Sequence, residues 1–208
     1  MDSNEDTGST HIEQNYKDYA IRKAELEAAV GGVVALWANL EAEILLSTAT
    51  ALKISNADAC QIVSVFRTFA LALDFCDRVV KVRISDQPQV ARWNSITEYT
   101  RELSGDRNFI AHQGIVAHGE GRPEQVDWRD VLPKVGPTLF THQMGNTKRD
   151  PMDVHEVREI AKDIQECIEY IMEFRTWLAQ AGTPPWQDTL SEAIHRRRPR
   201  VAERRASA

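Results

Sequence analysis

The stretch PMDVHEVREIAKDIQECIEYIMEFRTWLAQA, from Pro151 to Ala181, decides the fold. Val157, Ile160, Ile164, Cys167, Ile168, Ile171, Phe174 and Leu178 recur at three- and four-residue spacing, which places them on one face of an α-helix. Asp150 or Asp153 can cap its start, Pro151 suits the first turn, and the helix is expected to end near Ala181-Gly182. Working towards the N-terminus, the same periodicity predicts three more long helices. The third runs from Pro88 or Gln89 through Trp93, Ile96, Tyr99 and Leu103 to His112, with Gly105 as a point of bending. The second starts from a cap at Ser55 or Asn56 and reaches about Ile84, with Ile62, Val63, Phe66, Phe69, Leu73 and Val80 inward. The first spans about Tyr16 to Lys53, with Ala24, Ala28, Val34, Trp37, Leu40, Ile44, Leu45 and Thr48 as its apolar face. Gly31-Gly32 weakens its middle and invites a kink or close helix packing.

The expected class is therefore all-α: an antiparallel bundle of four long helices. Between helices three and four, residues 115–150 lose the helical period and gather glycine and proline. Ile115-Val116-Ala117 and Thr138-Leu139-Phe140-Thr141 are candidates to pair, so a loop or short β-hairpin insertion is expected there. Residues 1–15 are polar and acidic and read as a disordered N-terminus. Residues 16–182 form the helical domain, and 183–208 form a tail rich in proline and arginine.

Of 208 residues, 42% are hydrophobic and 27% charged, ordinary values for a soluble globular chain. No uninterrupted apolar run of about 18 residues is seen, and residues 1–10 lack a signal-peptide core, so a cytoplasmic protein without a membrane span is expected. Cys60, Cys76 and Cys167 are odd in number and form no CxxC, which reads as reduced core thiols. The net charge is −6. Residues 182–208 carry six Arg against three acids, which leaves 19 basic and 28 acidic residues in the body, a net of −9. An acidic body argues against broad nonspecific nucleic-acid binding, while the basic tail is either a nucleic-acid arm or a solvated end. No HExxH or Cys/His ligand spacing, GxGxxG, GxxxxGK[ST] or GxSxG occurs, so no metal or cofactor is expected and nucleotide-binding loops and α/β-hydrolase chemistry lose support.

The chemistry-bearing run is Arg107-Asn108-Phe109-Ile110-Ala111-His112-Gln113-Gly114, at the end of the third helix. Arg presents a planar fork of donors that suits phosphate oxygens, and His takes or gives a proton near neutrality. Gly114 can stop the helix just past the imidazole. Asn108 and His112 are four residues apart and share a face, whereas Arg107 lies about 140° around the helix from His112. The bland reading is that Arg107 and Asn108 tie the helix to its neighbours and His112 is a cation at a helix C-terminus.

This run resembles the Arg-Asn-x-x-x-His signature of the HEPN superfamily, which consists of helical bundles. Trp37-Ala38-Asn39-Leu40-Glu41 likewise looks like the first helix of several HEPN-like bacterial families. The resemblance implies a homodimer whose two motifs meet across the two-fold axis, pairing the Arg of one copy with the His of the other. It further implies metal-independent endonucleolytic cleavage of RNA. His112 would act as base or acid on the ribose 2′-hydroxyl, Arg107 would hold the scissile phosphate, and Asn108 would orient the His or touch phosphate. A toxin or phage-defence role, with an antitoxin or other partner protein, also comes from the resemblance alone. The long insertion and acidic surface depart from the pattern and leave the RNA target open.

Two residues stand as supports. Glu41 shares a helix face with Trp37, Ile44 and Leu45, so it is expected to be partly buried and to need a partner, Arg107 or another group of the motif; the alternative is local pairing. His118 follows the motif by six residues and is placed to line the same cleft. His142, His155, Trp128, Phe140 and Trp186 read first as loop or helix-end residues, and the aromatics among them as candidate base-stacking platforms. The competing function is a noncatalytic HEPN-like module that binds a partner protein or a nucleotide, which the acidic body favours.

Overall fold

The computed structural model describes residues 6–112, 114–118, 136–140 and 152–180, with side chains for 14–112 and 152–180. Apart from two short strands these residues are overwhelmingly helical, and the body is all-α. Five helices are described: α1 (Asp6–Leu52), α2 (Asn56–Val63), α3 (Phe69–Arg83), α4 (Gln87–His112) and α5 (Val154–Gln180).

α1 has 47 residues, about 70 Å at 1.5 Å per residue. It starts at Asp6, inside the segment expected to be disordered: no proline or glycine pair interrupts residues 9–30, and Gln14 ties to Asp18 one turn on by a 2.9 Å hydrogen bond. The helix runs unbroken through Gly31-Gly32, and a Cβ at either glycine would meet nothing within 4 Å, so neither the kink nor a close intramolecular approach is there. Its buried line is Leu26, Val33, Trp37, Leu40 and Ile44. Ala24, Ala28 and Val34, expected inside, face outward. The helix is apolar on both sides, and periodicity alone cannot choose between them. Among the described residues, Gln14–Leu52 also holds an 18-residue window of mean hydropathy 1.5, long and apolar enough to cross a membrane, of which 22% is buried.

α1 ends in a Schellman closure. Ile54 N–H donates to the Ala49 carbonyl at 3.2 Å and Lys53 N–H to Thr50 at 3.3 Å, with Lys53 at φ 58° where glycine is usual. Ser55 then caps α2, its hydroxyl accepting from Asp58 N–H at 3.1 Å.

The single second helix expected over 55–84 is two helices. Ser64 Oγ donates to the Gln61 carbonyl at 2.8 Å and competes with the backbone at the end of α2, and Thr68 restarts the chain by capping α3. α4 is continuous through Gly105, so no break falls before the motif. α5 opens with a reciprocal capping box: Glu156 N–H donates to Asp153 Oδ1 at 2.9 Å, and Asp153 N–H to Glu156 Oε2 at 3.1 Å.

Inter-helix ties give the directions. Phe69 meets Trp37 and Cys76 meets Thr48, so α3 runs parallel to α1. Arg92 pairs with Glu173 and Thr100 with Cys167, so α4 and α5 are antiparallel. Arg175 Nε donates to Glu43 at 3.0 Å and fastens α5 to α1. The core gathers Trp93, Ile96, Tyr99 and Leu103 of α4 against Ile160, Ile164, Ile171 and Phe174 of α5 and the inner line of α1. Cys76 and Cys167 lie in it, while Cys60 is exposed, contrary to the reading of three core thiols.

Past α4, Gly114–His118 (β1) pairs antiparallel with Gly136–Phe140 (β2), with Ile115 opposite Leu139 and Val116 opposite Thr138. β2 lies against α1. The chain joining the strands, the tail expected over 183–208, and Trp128, His142 and Trp186 lie outside the described residues.

Candidate functional site

Arg107, Asn108 and His112 occupy the last turns of α4, where Phe109 and Ile110 turn inward and hold the helix end on the core. Arg107 is half-buried. Its Cζ lies 6.0 Å from the centre of the Trp37 ring, its Nε is buried without a hydrogen-bond partner, and its Nη1 donates to Asn108 Oδ1 at 3.1 Å. Among the described residues no carboxylate neutralises this guanidinium. A cation held against an aromatic face, with a desolvated N–H unspent, is prepared for an anion from outside the chain.

Glu41 is where the expectation and the structure part. Its Oε1 accepts from Trp37 Nε1 at 2.7 Å, one turn away on the same helix, and the residue is exposed rather than partly buried. Arg107 and Glu41 thus do not pair; they meet Trp37 from different sides, one over the ring and one at the indole N–H. Trp37, read in the sequence only as core, is the residue that joins them. The i,i+4 spacing of Trp37 and Glu41 carried that signal. Glu41 also lines a cavity of about 220 Å³ between α1 and the α2–α3 link, with Phe66, Arg67 and Phe69 around it.

Asn108 and His112 stand four residues apart on the continuous α4, and the Asn108 amide oxygen accepts from Arg107. His112 is exposed at the helix end, and no hydrogen bond joins it to Asn108 or Arg107 among the described residues. The two chemical groups therefore point apart within one chain, as their spacing around the helix requires. His118 lies on β1 with its backbone opposite Gly136. His155 is exposed in the first turn of α5. Among the described residues, no three His, Cys, Asp or Glu side chains converge where a metal ion could sit. Away from the motif, burial pushes the Cys76 thiol up, against a smaller opposing hydrogen bond from Thr48.

No family model, curated protein or solved structure matches this chain.

Proposed function

We propose that the chain is a metal-independent endoribonuclease of HEPN type, acting as a cytoplasmic homodimer in which Arg107 of one copy works with His112 of the other. The observation that carries the reading is Arg107: a half-buried guanidinium stacked on Trp37, with Nε unspent and no carboxylate partner among the described residues. Such a group is suited to a phosphate. His112, exposed but turned away from its own Arg107, supplies the imidazole to a site completed by a second copy.

In this reaction the His112 imidazole takes the proton of the ribose 2′-hydroxyl, and the 2′-oxygen attacks phosphorus. Arg107 holds the charge that grows on the phosphate oxygens. The phosphorus–5′-oxygen bond breaks, and the 5′-oxygen leaves with the proton returned by the imidazolium. The products are a 2′,3′-cyclic phosphate and a 5′-hydroxyl. In the same reading the helices form one bundle, with α3 parallel to α1 and α4 antiparallel to α5 rather than every neighbour antiparallel as expected, and the α4–α5 connection carries the paired strands as a hairpin insertion. The resemblance supplies the biological setting, a toxin or defence effector with an antitoxin or other partner protein. The test is incubation of total RNA with the purified protein in EDTA: cyclic-phosphate ends from wild type and none from His112→Ala support the reading.

One observation favours the alternative of a noncatalytic module that binds a partner protein or nucleotide. Asn108 spends its oxygen on Arg107 rather than orienting His112. Folded wild-type dimer that leaves mRNA, tRNA and rRNA intact selects this alternative.

A further inference from the structure

Opposite its buried line, α1 presents a second apolar face that none of the described residues covers. Ala24, Ala28, Gly31, Ala35, Ala38 and Ala42, all exposed, follow each other at alternating four- and three-residue steps, the spacing that keeps a seam towards a partner helix. Ile21, 59% exposed, and Val34, 39% exposed, widen it. Less than a quarter of the most apolar 18-residue window of this helix is buried, so a covering surface is called for.

The charges along the face say what covers it. Lys23 precedes Gly31 by eight residues, and Glu41 follows Gly32 by nine. They are 18 residues apart, five turns at 3.6 residues per turn, so they lie on the same flank of the face. Two antiparallel copies of α1, related by a two-fold axis through Gly31-Gly32, turn like flanks towards each other. That operation sets Lys23 against Glu41 of the partner subunit, and does so twice. At the crossing, Gly31 and Gly32 have open space where a Cβ would stand, which lets the two backbones approach closely. Among the described residues Lys23 pairs with Glu27, at 3.5 Å in an exposed pair, and Trp37 holds Glu41 in place. A lipid surface would instead have to take Lys23, Glu27 and Glu41 into hydrocarbon, while the opposite face of α1 is already packed on the core.

We propose that this face is the homodimer seam, α1 on α1, antiparallel and crossing at Gly31-Gly32. This deepens the dimer reading above by naming the face, and rests on the dimer rather than on cleavage. Arg107 stacks on Trp37, which lies near the Glu41 flank, and the two-fold keeps both such flanks on one side of the helix pair. Both motifs then open on the same side of the dimer.

Sedimentation equilibrium of the full chain tests the seam. Wild type is expected to be a dimer, and Ala35→Glu a monomer with unchanged helical circular dichroism. Lys23→Glu and Glu41→Lys should each weaken the dimer by about ten-fold or more, and the double exchange should recover most of that loss. A monomeric wild type, a dimer that survives Ala35→Glu, a double exchange no tighter than the single ones, or a monomer that sediments with phosphatidylcholine vesicles overturns the seam. An Ala35→Glu variant that stays dimeric and cleaves RNA would overturn the seam alone; loss of cleavage in an intact wild-type dimer would overturn the nuclease alone.

Discussion

Arg107 stands over Trp37, with Cζ 6.0 Å from the ring centre, and the same indole donates its N–H to Glu41 at 2.7 Å. One aromatic residue on α1 therefore positions the cation of the α4 motif and the carboxylate of its own helix. Replacing it by Phe keeps most of the buried ring but removes the N–H and weakens the face. We expect Trp37→Phe to lose about 1–2 kcal/mol of stability, read as a lower denaturant midpoint with unchanged slope. A midpoint equal to wild type would mean that neither contact contributes.

Lys53 closes α1 with φ at 58°, a conformation that burdens any residue with a Cβ. Its side chain is exposed, and the closure depends on backbone groups alone. Lys53→Gly should stabilise the fold by about 1 kcal/mol, visible as a rise in Tm. A fall in Tm would show that the Lys side chain contributes more than the strain removes.

The capping box of α5 joins Asp153 and Glu156 reciprocally. Asp153→Ala should cost about 1 kcal/mol, and Asp153→Ser should recover most of it, because a hydroxyl can accept the same N–H. Equal stability of all three in chemical denaturation would remove the box from the account.

Cys60 is exposed, whereas Cys76 and Cys167 are buried. A thiol-reactive disulfide reagent should find one fast thiol per native chain and three after unfolding. Burial raises the Cys76 pKa above its ordinary 9.0, so the folded state keeps that proton after the unfolded state has lost it. By linkage this thiol's contribution is fully present below about pH 9 and turns destabilising as the pH rises beyond it. Three fast thiols in native protein at pH 8 would contradict the burial.

Much of the helical body is legible in the sequence because its signals are local. The stripe from Val157 to Phe174 lies buried as spaced, and Asp153 and Glu156 spell their capping box. The break after α2 is hidden because Ile62, Val63, Phe66 and Phe69 carry the helical period across it, while Ser64 and Thr68 end and restart the helix by single hydrogen bonds. The inner face of α1 is misread because both of its faces are apolar. In the site, Arg107, Asn108 and His112 are visible as a motif, but their partners are not. That Trp37 receives Arg107 depends on which helices meet, and no spacing within α4 encodes it, whereas the Trp37–Glu41 contact lies at i,i+4 within α1 and Asn108 turns to its chain neighbour Arg107.

The central claim is a site shared between two copies. Arg107→Ala and His112→Ala, each purified, refolded together and assayed on RNA in EDTA, test it directly. Each variant alone should be inactive. Mixed equally, half of the dimers pair one of each and hold one intact site, so cleavage should return to about a quarter of the wild-type rate. Mixed dimers that form and remain as inactive as the separate variants would contradict it.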